Sequence, residues 1–121
     1  MTITEVGKRY DLSPDTLRYY ERIGLIPSVN RKKSGVRDYT EEDCRWVEFA
    51  KCMRQAGLSI EVLTEYLRLS RQGDGTVDTR KMLLIEQRKQ LAVRIEELHK
   101  TLERLDGKIA RYEQGLAQRQ S

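Results

Sequence analysis

The sequence is poor in the residues on which enzyme sites depend. Its 121 residues include one histidine, two cysteines, one tryptophan and one phenylalanine. We find no nucleophile–base pair, no glycine-rich phosphate loop and no histidine–carboxylate cluster with the spacing of metal ligands. The single histidine, His99, is more simply explained as a surface residue than as a ligand. We therefore expect no enzymatic activity, no bound metal and no cofactor.

Long apolar runs are missing as well. No run approaches the roughly 20 residues that a membrane-spanning helix needs, and no signal peptide opens the chain. Cys44 and Cys52 are too few for a disulfide scaffold. On one helix they would lie about 12 Å apart along its axis, too far for a disulfide or a shared metal within one protomer. We expect a cytoplasmic protein with reduced thiols and no membrane partner.

What the sequence has in plenty is charge. Charged residues make up 35% of the chain, and the formal net charge is +4. Residues 1–70 carry 12 Lys and Arg against 11 Asp and Glu, so the positive charge is not concentrated in the first half as a whole. The balance favours a nucleic-acid partner, but an interface has to come from local clusters of basic residues.

Two short helices joined by a tight turn are predicted over residues 4–26. Ser13 suits the N-cap of the second helix, and Pro14 suits its first position, where a missing N–H costs nothing. The second helix is predicted to run from about Pro14 to Ile23 and to stop at Gly24. Helices this short need each other and more core to be stable. The arrangement is typical of a helix-turn-helix, whose second helix enters the DNA major groove.

The outer face of this second helix carries candidate DNA contacts. Helical spacing turns Leu17, Tyr20 and Gly24 inward and leaves Arg18 and Tyr19 outside. An arginine reads guanine or grips phosphate, and a tyrosine hydroxyl suits phosphate. The alternative is a solvated pair on an ordinary amphipathic helix. On this helix we assign to DNA binding Thr16, Arg18, Tyr19, Tyr20 and Arg22.

A second basic cluster follows between residues 27 and 40. Pro27 blocks helix continuation and Ser34-Gly35 signals a turn, which together predict a small β-hairpin, or wing. Four positive charges stand there against one negative charge. Such a loop beside a recognition helix is suited to the phosphate backbone, although a solvated charged loop is the simpler alternative. The candidate DNA contacts in this segment are Arg31, Lys33, Arg37 and Tyr39.

Two further helices are predicted to complete a first domain at residues 1–71. Thr40 caps the third helix, whose first turn is acidic, and Gly57 ends it. Ser59 caps the fourth helix. The apolar faces of this pair are expected to close the core with Trp46, Val47, Phe49, Ala50, Met53, Ile60, Leu63 and Leu67. Residues 72–77 are predicted to be a linker, with a flexible break at Gln72-Gly73-Asp74-Gly75.

Residues 78–118 are predicted to form one long coiled-coil helix. Apolar residues recur there every seven positions in two series offset by four, which is the heptad pattern. Such a helix is too long to be covered by the first domain alone, so we predict a homodimer. The residues assigned to the seam are Leu84, Leu91, Ile95, Leu98, Leu102, Leu105, Ile109, Tyr112 and Leu116. The fold class is therefore mainly all-α, a winged helix-turn-helix followed by a long dimerising helix.

Three segments in this order resemble one known family. The run LSPDTLRYYERIGLI, then Arg37-Asp38-Tyr39 with Asp43, and then AGLSI at residues 56–60 resemble the N-terminal domain of the MerR family of bacterial transcription regulators. The resemblance covers residues 1–70 closely and the coiled coil more loosely. It implies that Arg37 contacts phosphate or the minor groove and that Tyr39 packs the wing onto the core.

The same resemblance implies how such a protein acts. Members bind double-stranded promoter DNA as homodimers, with an antiparallel coiled coil and a palindromic operator. They act together with RNA polymerase, because bending and untwisting the operator realigns the promoter elements. The remaining alternatives are a regulator of this type with a ligand other than an electrophile, and an architectural DNA-bending protein without a sensor.

The resemblance also bears on Cys52. From the residues alone, Lys51 and Arg54 favour a nucleophilic thiolate and the helix C-terminus opposes it, so a buried, inert cysteine is the simpler alternative. A lone cysteine in a short chain resembles the NmlR/AdhR-like subgroup of thiol- and aldehyde-sensing regulators. That implies that Cys52 is the sensor of an electrophile or oxidant. Cys44 is expected to be structural.

Overall fold

A computed structural model describes the backbone of residues 1–120 and the side chains of residues 1–116. The chain divides into two compact units, Met1–Leu84 and a second unit that begins at Ile85. The described α-helices are α1 (Ile3–Tyr10), α2 (Pro14–Ile23), α3 (Glu41–Gln55), α4 (Ile60–Arg71) and α5 (Val77–Gln120). The mainly helical architecture confirms the predicted fold class.

The helix-turn-helix of α1 and α2 has the bounds that its capping residues dictate. The Thr2 hydroxyl accepts the Glu5 N–H and the Glu5 carboxylate accepts the Thr2 N–H, which together form a capping box at the start of α1. Ser13 caps α2 through its side chain, which accepts the Thr16 N–H. Gly24 ends α2 in the left-handed conformation, with φ 82°. The predicted span Pro14–Ile23 is confirmed.

The end of α1 and the turn before α2 meet closely at Gly7. The chain folds back after α1 so that the Leu12 N–H donates to the Gly7 carbonyl at 2.9 Å. A Cβ atom built on Gly7 would lie 2.6 Å from the Leu12 carbonyl oxygen. Because any side chain would collide with backbone there, the missing Cβ sets the distance between α1 and the turn.

The core of the first unit lies behind the helix-turn-helix, where α3 and α4 close it. A capping box between Thr40 and Asp43 starts α3 as predicted. Leu25, Ile26 and Val29, which follow α2, were not predicted to be buried, because no periodic pattern marks a core residue in irregular chain. The buried cluster consists of Val6, Leu17, Leu25, Ile26, Val29, Tyr39, Cys44, Val47, Ala50, Leu58 and Leu63.

The wing is a closed turn rather than a pair of strands. A single antiparallel β-bridge joins Arg31 and Arg37, and the Lys32 N–H donates to the Val36 carbonyl at 2.8 Å inside it. The arms are too short for a longer ladder, because Val29 already leaves the loop to enter the core. The predicted β-hairpin is therefore present as a loop with one bridge.

The junction between α4 and α5 is held by hydrogen bonds, whereas the sequence predicted a flexible break at residues 72–75. A single 3-10 turn spans Asp74–Thr76. The Thr76 hydroxyl oxygen lies 2.7 Å from the Leu69 carbonyl, and Arg80 Nε donates to the same hydroxyl at 3.0 Å. The Thr76 hydroxyl thus bonds to a carbonyl at the end of α4, and the junction is held in place where two glycines had predicted flexibility.

In the second unit, α5 continues as one uninterrupted helix. Its predicted seam residues from Ile95 onward are 52–70% exposed, with Leu102 at the low end and Tyr112 at the high end. The charged residues between them are exposed as well. Within the described part of the chain, no helix is both long and apolar enough to cross a membrane.

Candidate nucleic-acid interface

The outer face of α2 presents polar side chains from one short helix. Arg18 is held by Asp15, whose Oδ1 accepts from Arg18 Nη1 at 2.9 Å in an exposed ion pair. The Arg22 guanidinium lies over the Tyr19 ring, 5.4 Å from its centroid, and Tyr19 is 39% exposed. Thr16 stands at the start of the helix, with its hydroxyl 2.8 Å from that of Ser13. The predicted outward direction of Arg18, Tyr19 and Arg22 agrees with this geometry.

Two tyrosines assigned to DNA binding lie on the inner side. Tyr20 is partly buried against the core, in agreement with its helical spacing beside Leu17. Tyr39 is only 2% exposed, so its ring packs the wing onto the core as the resemblance implied. Burial raises the pKa of the Tyr39 hydroxyl above its ordinary value, and the negative charge of Glu21 raises it further. Tyr39 is therefore enclosed, whereas Tyr20 keeps part of its surface exposed.

The tip of the wing carries the exposed cations. Arg31, Lys32 and Lys33 are all exposed, and Arg31 Nη1 donates to the Gly35 carbonyl at 3.0 Å, which stiffens the loop. The stretch NRKKSGV at residues 30–36 contains no acidic residue. Three exposed cations on one ordered turn form a surface suited to a polyanion.

Arg37 at the base of the wing has a different environment from the tip. Its Nε donates to Glu21 Oε1 at 2.8 Å, and the two side chains are only 20% and 15% exposed. The other Glu21 oxygen, Oε2, accepts the Val29 N–H at 3.2 Å. Arg37 therefore links the wing to α2 through its Nε.

Glu21 is the residue that sequence reasoning missed. It is an acid on a helix assigned to DNA, and this is the one sequence signal that pointed to it. Its partner Arg37 is 16 positions away across irregular chain, where no helical or strand period predicts a pair.

The two cysteines differ in surroundings, although both belong to α3. Cys44 is buried against the core, with its Sγ 3.9 Å from the Met1 Sδ, as expected for a structural residue. Cys52 is exposed, so the alternative of a cysteine buried in a seam of its own protomer is wrong. Lys51 Nζ donates to the Tyr10 carbonyl, and Arg54 Nη1 donates to the Leu58 carbonyl at 2.6 Å. Both cations that were expected to favour the thiolate are thus bonded to backbone oxygens.

An aromatic hollow opens on the outer side of α3 and α4. Trp46, Phe49 and Tyr66 contact one another with centroid distances of 5.4–6.1 Å; Trp46 and Phe49 meet edge to face, and Tyr66 is tilted against both. Glu42 and Arg45 complete the rim of a hollow of about 280 Å³. The hollow shares α3 with Cys52. Among the described residues, no group of three or more histidine, cysteine or acidic side chains is placed to hold a metal ion.

The sequence matches two described families. Residues 1–70 match the family described as MerR HTH family regulatory protein, and residues 44–108 match the family described as MerR, DNA binding. The chain is 58% identical over 91 residues to the HTH-type transcriptional regulator AdhR of Bacillus subtilis, a match that covers 75% of this chain and 65% of AdhR. That match spans less than two thirds of the relative's length.

Solved structures give a similar result for the fold. A protein described as a MerR family transcriptional regulator from Listeria monocytogenes is 49% identical, with a TM-score of 0.91 over 93% of this chain and 86% of that one. HiNmlR, described as a MerR family regulator lacking the sensor domain and solved bound to promoter DNA, is 30% identical. Its TM-score is 0.87 over 96% of this chain and 92% of that one.

Proposed function

Because the chain belongs to the MerR family of helix-turn-helix regulatory proteins, we propose that it occupies a palindromic promoter operator as a homodimer and switches transcription there by distorting the DNA. It is a DNA-binding transcriptional regulator rather than an enzyme, as are its relatives. We further propose that it acts in the cytoplasm, where promoter DNA and RNA polymerase are found.

The proposed reading surface combines α2 with the wing. Arg18 and Tyr19, supported by Thr16 and Arg22, enter the major groove, where an arginine discriminates guanine from the other bases. Arg31 and Lys33 at the wing tip follow the phosphate backbone. The support for this arrangement is the likeness to HiNmlR, which was solved on promoter DNA, and the exposure of all these side chains except that of Thr16, which is half-buried.

The proposed dimer rests on the exposed apolar stripe of α5. Leucines and isoleucines at heptad positions are removed from water when a second copy of the helix packs on them, which favours association. An antiparallel pair would carry one reading unit at each end. Two identical units related by a two-fold axis match a palindromic operator, since protein and DNA then share that axis.

The proposed signal is covalent modification of Cys52, and the observation that carries it is the contrast between the two thiols. Cys52 is open to solvent, whereas Cys44 is enclosed by the core. The Cys52 thiolate would add to the carbonyl carbon of an aldehyde, and the carbonyl oxygen would take up a proton to give a hemithioacetal. Oxidants would act on the same sulfur. The modified helix α3 would then favour the dimer arrangement that bends and untwists the operator.

A second candidate is a regulator of the same type with a ligand other than an electrophile. The aromatic hollow formed by Trp46, Phe49 and Tyr66 favours it, because clustered aromatic rings suit a small apolar or aromatic molecule. In that case the response would depend on the rings of the hollow and would be independent of Cys52.

The experiment that tests the signal is transcription in vitro from the promoter next to the protein's own gene, with and without formaldehyde. Wild type, Cys52→Ser and the matched control Cys44→Ala are compared. We expect wild type and Cys44→Ala to respond, and Cys52→Ser to bind DNA without responding.

If Cys52→Ser responds to formaldehyde like the wild type, modification of Cys52 is not the signal. Phe49→Ala then becomes the informative variant, because it opens the aromatic hollow without touching either cysteine. Loss of the response in Phe49→Ala alone would support the second candidate.

A further inference from the structure

The carboxylate of Glu21 bridges the two sides of the wing. Its Oε2 accepts from the Val29 N–H, just before the loop, and its Oε1 accepts from Arg37 Nε, just after it. The segment between Val29 and Arg37 contains every cation of the wing tip. One side chain on α2 thus holds both ends of the loop that carries those cations.

The burial of this ion pair separates it from an ordinary surface pair. Glu21 and Arg37 are 15% and 20% exposed, whereas the Arg18–Asp15 pair on the same helix has side chains 49% and 96% exposed. A partly buried pair in which the carboxylate also accepts a backbone N–H is held in one geometry. Exposed pairs such as Arg18–Asp15 contribute little to stability.

The charge of Glu21 is opposite to what a DNA-facing helix requires. A carboxylate beside the phosphate backbone repels it, so charge alone predicts that its removal strengthens binding to every DNA sequence. A role in positioning predicts the reverse, because the wing cations would no longer be held at a fixed distance from α2. The two explanations therefore differ in the sign of the effect.

We infer that Glu21 is a positioning residue, which fixes the wing relative to the recognition helix so that base reading and phosphate binding occur together. This inference rests on the proposed use of α2 and the wing in DNA binding. It assigns to Arg37 the task of anchoring the wing through Glu21, with phosphate binding left to the tip residues Arg31, Lys32 and Lys33.

The test measures affinity for a duplex of the promoter next to the protein's own gene and for a random duplex of equal length, over a series of salt concentrations. Glu21→Gln keeps the size of the side chain and removes the charge. We expect it to weaken promoter binding about tenfold or more and to lower the salt slope by about 0.9 for each phosphate that the wing cations no longer neutralise. Glu65→Gln is the matched control, because it removes the same charge from an arginine pair on α4.

Two further readouts separate positioning from a general loss of structure. Hydrogen exchange at the Val29 amide should become faster in Glu21→Gln while exchange in α3 stays unchanged. Arg37→Gln should weaken binding as much as Glu21→Gln does, and the double variant should be no worse than either single one, because both act through one ion pair.

Several results would overturn the inference. Tighter binding of Glu21→Gln to both duplexes would make Glu21 a simple repulsive charge, and unchanged binding would leave it no role on DNA. Additive losses for Glu21→Gln and Arg37→Gln would mean that Arg37 binds DNA in its own right. Wild-type protein that fails to bind the promoter duplex would defeat the proposed function together with this inference, whereas the preceding outcomes defeat the inference alone.

Discussion

The two units of the chain differ in how far their apolar side chains are buried. In residues 1–84 the large apolar side chains between the helices are enclosed, with Val6, Leu17 and Val47 fully buried. In the unit that begins at Ile85, the heptad residues from Ile95 onward remain more than half exposed on a single helix. The first unit therefore holds its fold by packing within the chain, whereas the long helix leaves its apolar stripe uncovered, which is the basis of the proposed dimer.

The largest effect is expected from a charge placed on the apolar stripe of α5. Leu98→Glu puts a carboxylate at a seam position, where a second helix would have to bury it. Because burying that charge is unfavourable, we expect association to weaken at least about 100-fold. This corresponds to about 2.8 kcal/mol of association free energy, since each 1.4 kcal/mol is a factor of about ten. Sedimentation equilibrium measures this directly. The first unit should keep its own thermal transition.

A matched control for that variant exists on the same helix. Val93 is apolar and 58% exposed, close to the 62% of Leu98, but it lies outside both heptad series. Val93→Glu should leave the association constant unchanged. If Val93→Glu dissociates the protein as strongly as Leu98→Glu, the seam has been assigned to the wrong face.

A change in the enclosed core should lower the stability of the first unit and leave association unchanged. Leu17→Ala removes a side chain with no exposed surface, so we expect a loss of about 2–5 kcal/mol in the free energy of unfolding of the first unit. Urea denaturation followed by Trp46 fluorescence measures it. Val36→Ala on the half-exposed wing is the control and should cost little. Weakened association of Leu17→Ala under native conditions would mean that the two units depend on each other.

Within the first unit, helix and loop are expected to contribute differently to DNA binding. Arg18→Ala should cost about 1–3 kcal/mol on the promoter duplex and much less on random DNA, because the variant no longer reads a base. Lys33→Ala should weaken both duplexes equally and lower the salt slope by about 0.9. Titrations at several salt concentrations distinguish them. Equal losses on both duplexes for Arg18→Ala would place this arginine on the backbone.

The smallest expected effect is on the thermal stability of the first unit at acid pH. Two hydrogen bonds from Thr2 hold the pKa of Glu5 below its ordinary value. The larger effect comes from the Thr2 backbone N–H and the smaller from the Thr2 side chain. A carboxyl whose pKa is lower in the folded state stabilises the fold above its unfolded pKa, and this contribution is lost as the pH falls through the folded pKa. Glu5→Gln should therefore show a slightly smaller fall in Tm between about pH 6 and pH 3. An identical fall in both proteins would contradict a role for this cap.

Local sequence signals predicted the parts of this molecule that depend on neighbours in the chain. Ser13, Pro14 and Gly24 specify the two ends of α2, and the heptads mark the exposed stripe of α5 by period alone. Both predictions rest on spacing that a helix imposes.

The remaining features depend on packing between distant segments. The pairing of Glu21 with Arg37 joins a helix to a loop, and the exposure of Cys52 depends on how α3 turns against the core. The hairpin prediction identified the turn but overestimated the strands, since Val29 is drawn into the core. The assignments to DNA binding and to the dimer seam stay predictions, for which the exposed positions are the structural basis.

The close approach at Gly7 has a consequence for how this protein can diversify. A substitution there meets the Leu12 carbonyl and has no room to relax, whereas Gly75 has no atom within 4 Å of a Cβ built on it. In a randomised library selected for promoter binding, Gly7 should return as glycine alone while Gly75 accepts many residues. Under the proposed function, the outer side chains of α2 can therefore change to suit a new operator, provided that position 7 keeps the hydrogen atom of glycine in place of a side chain.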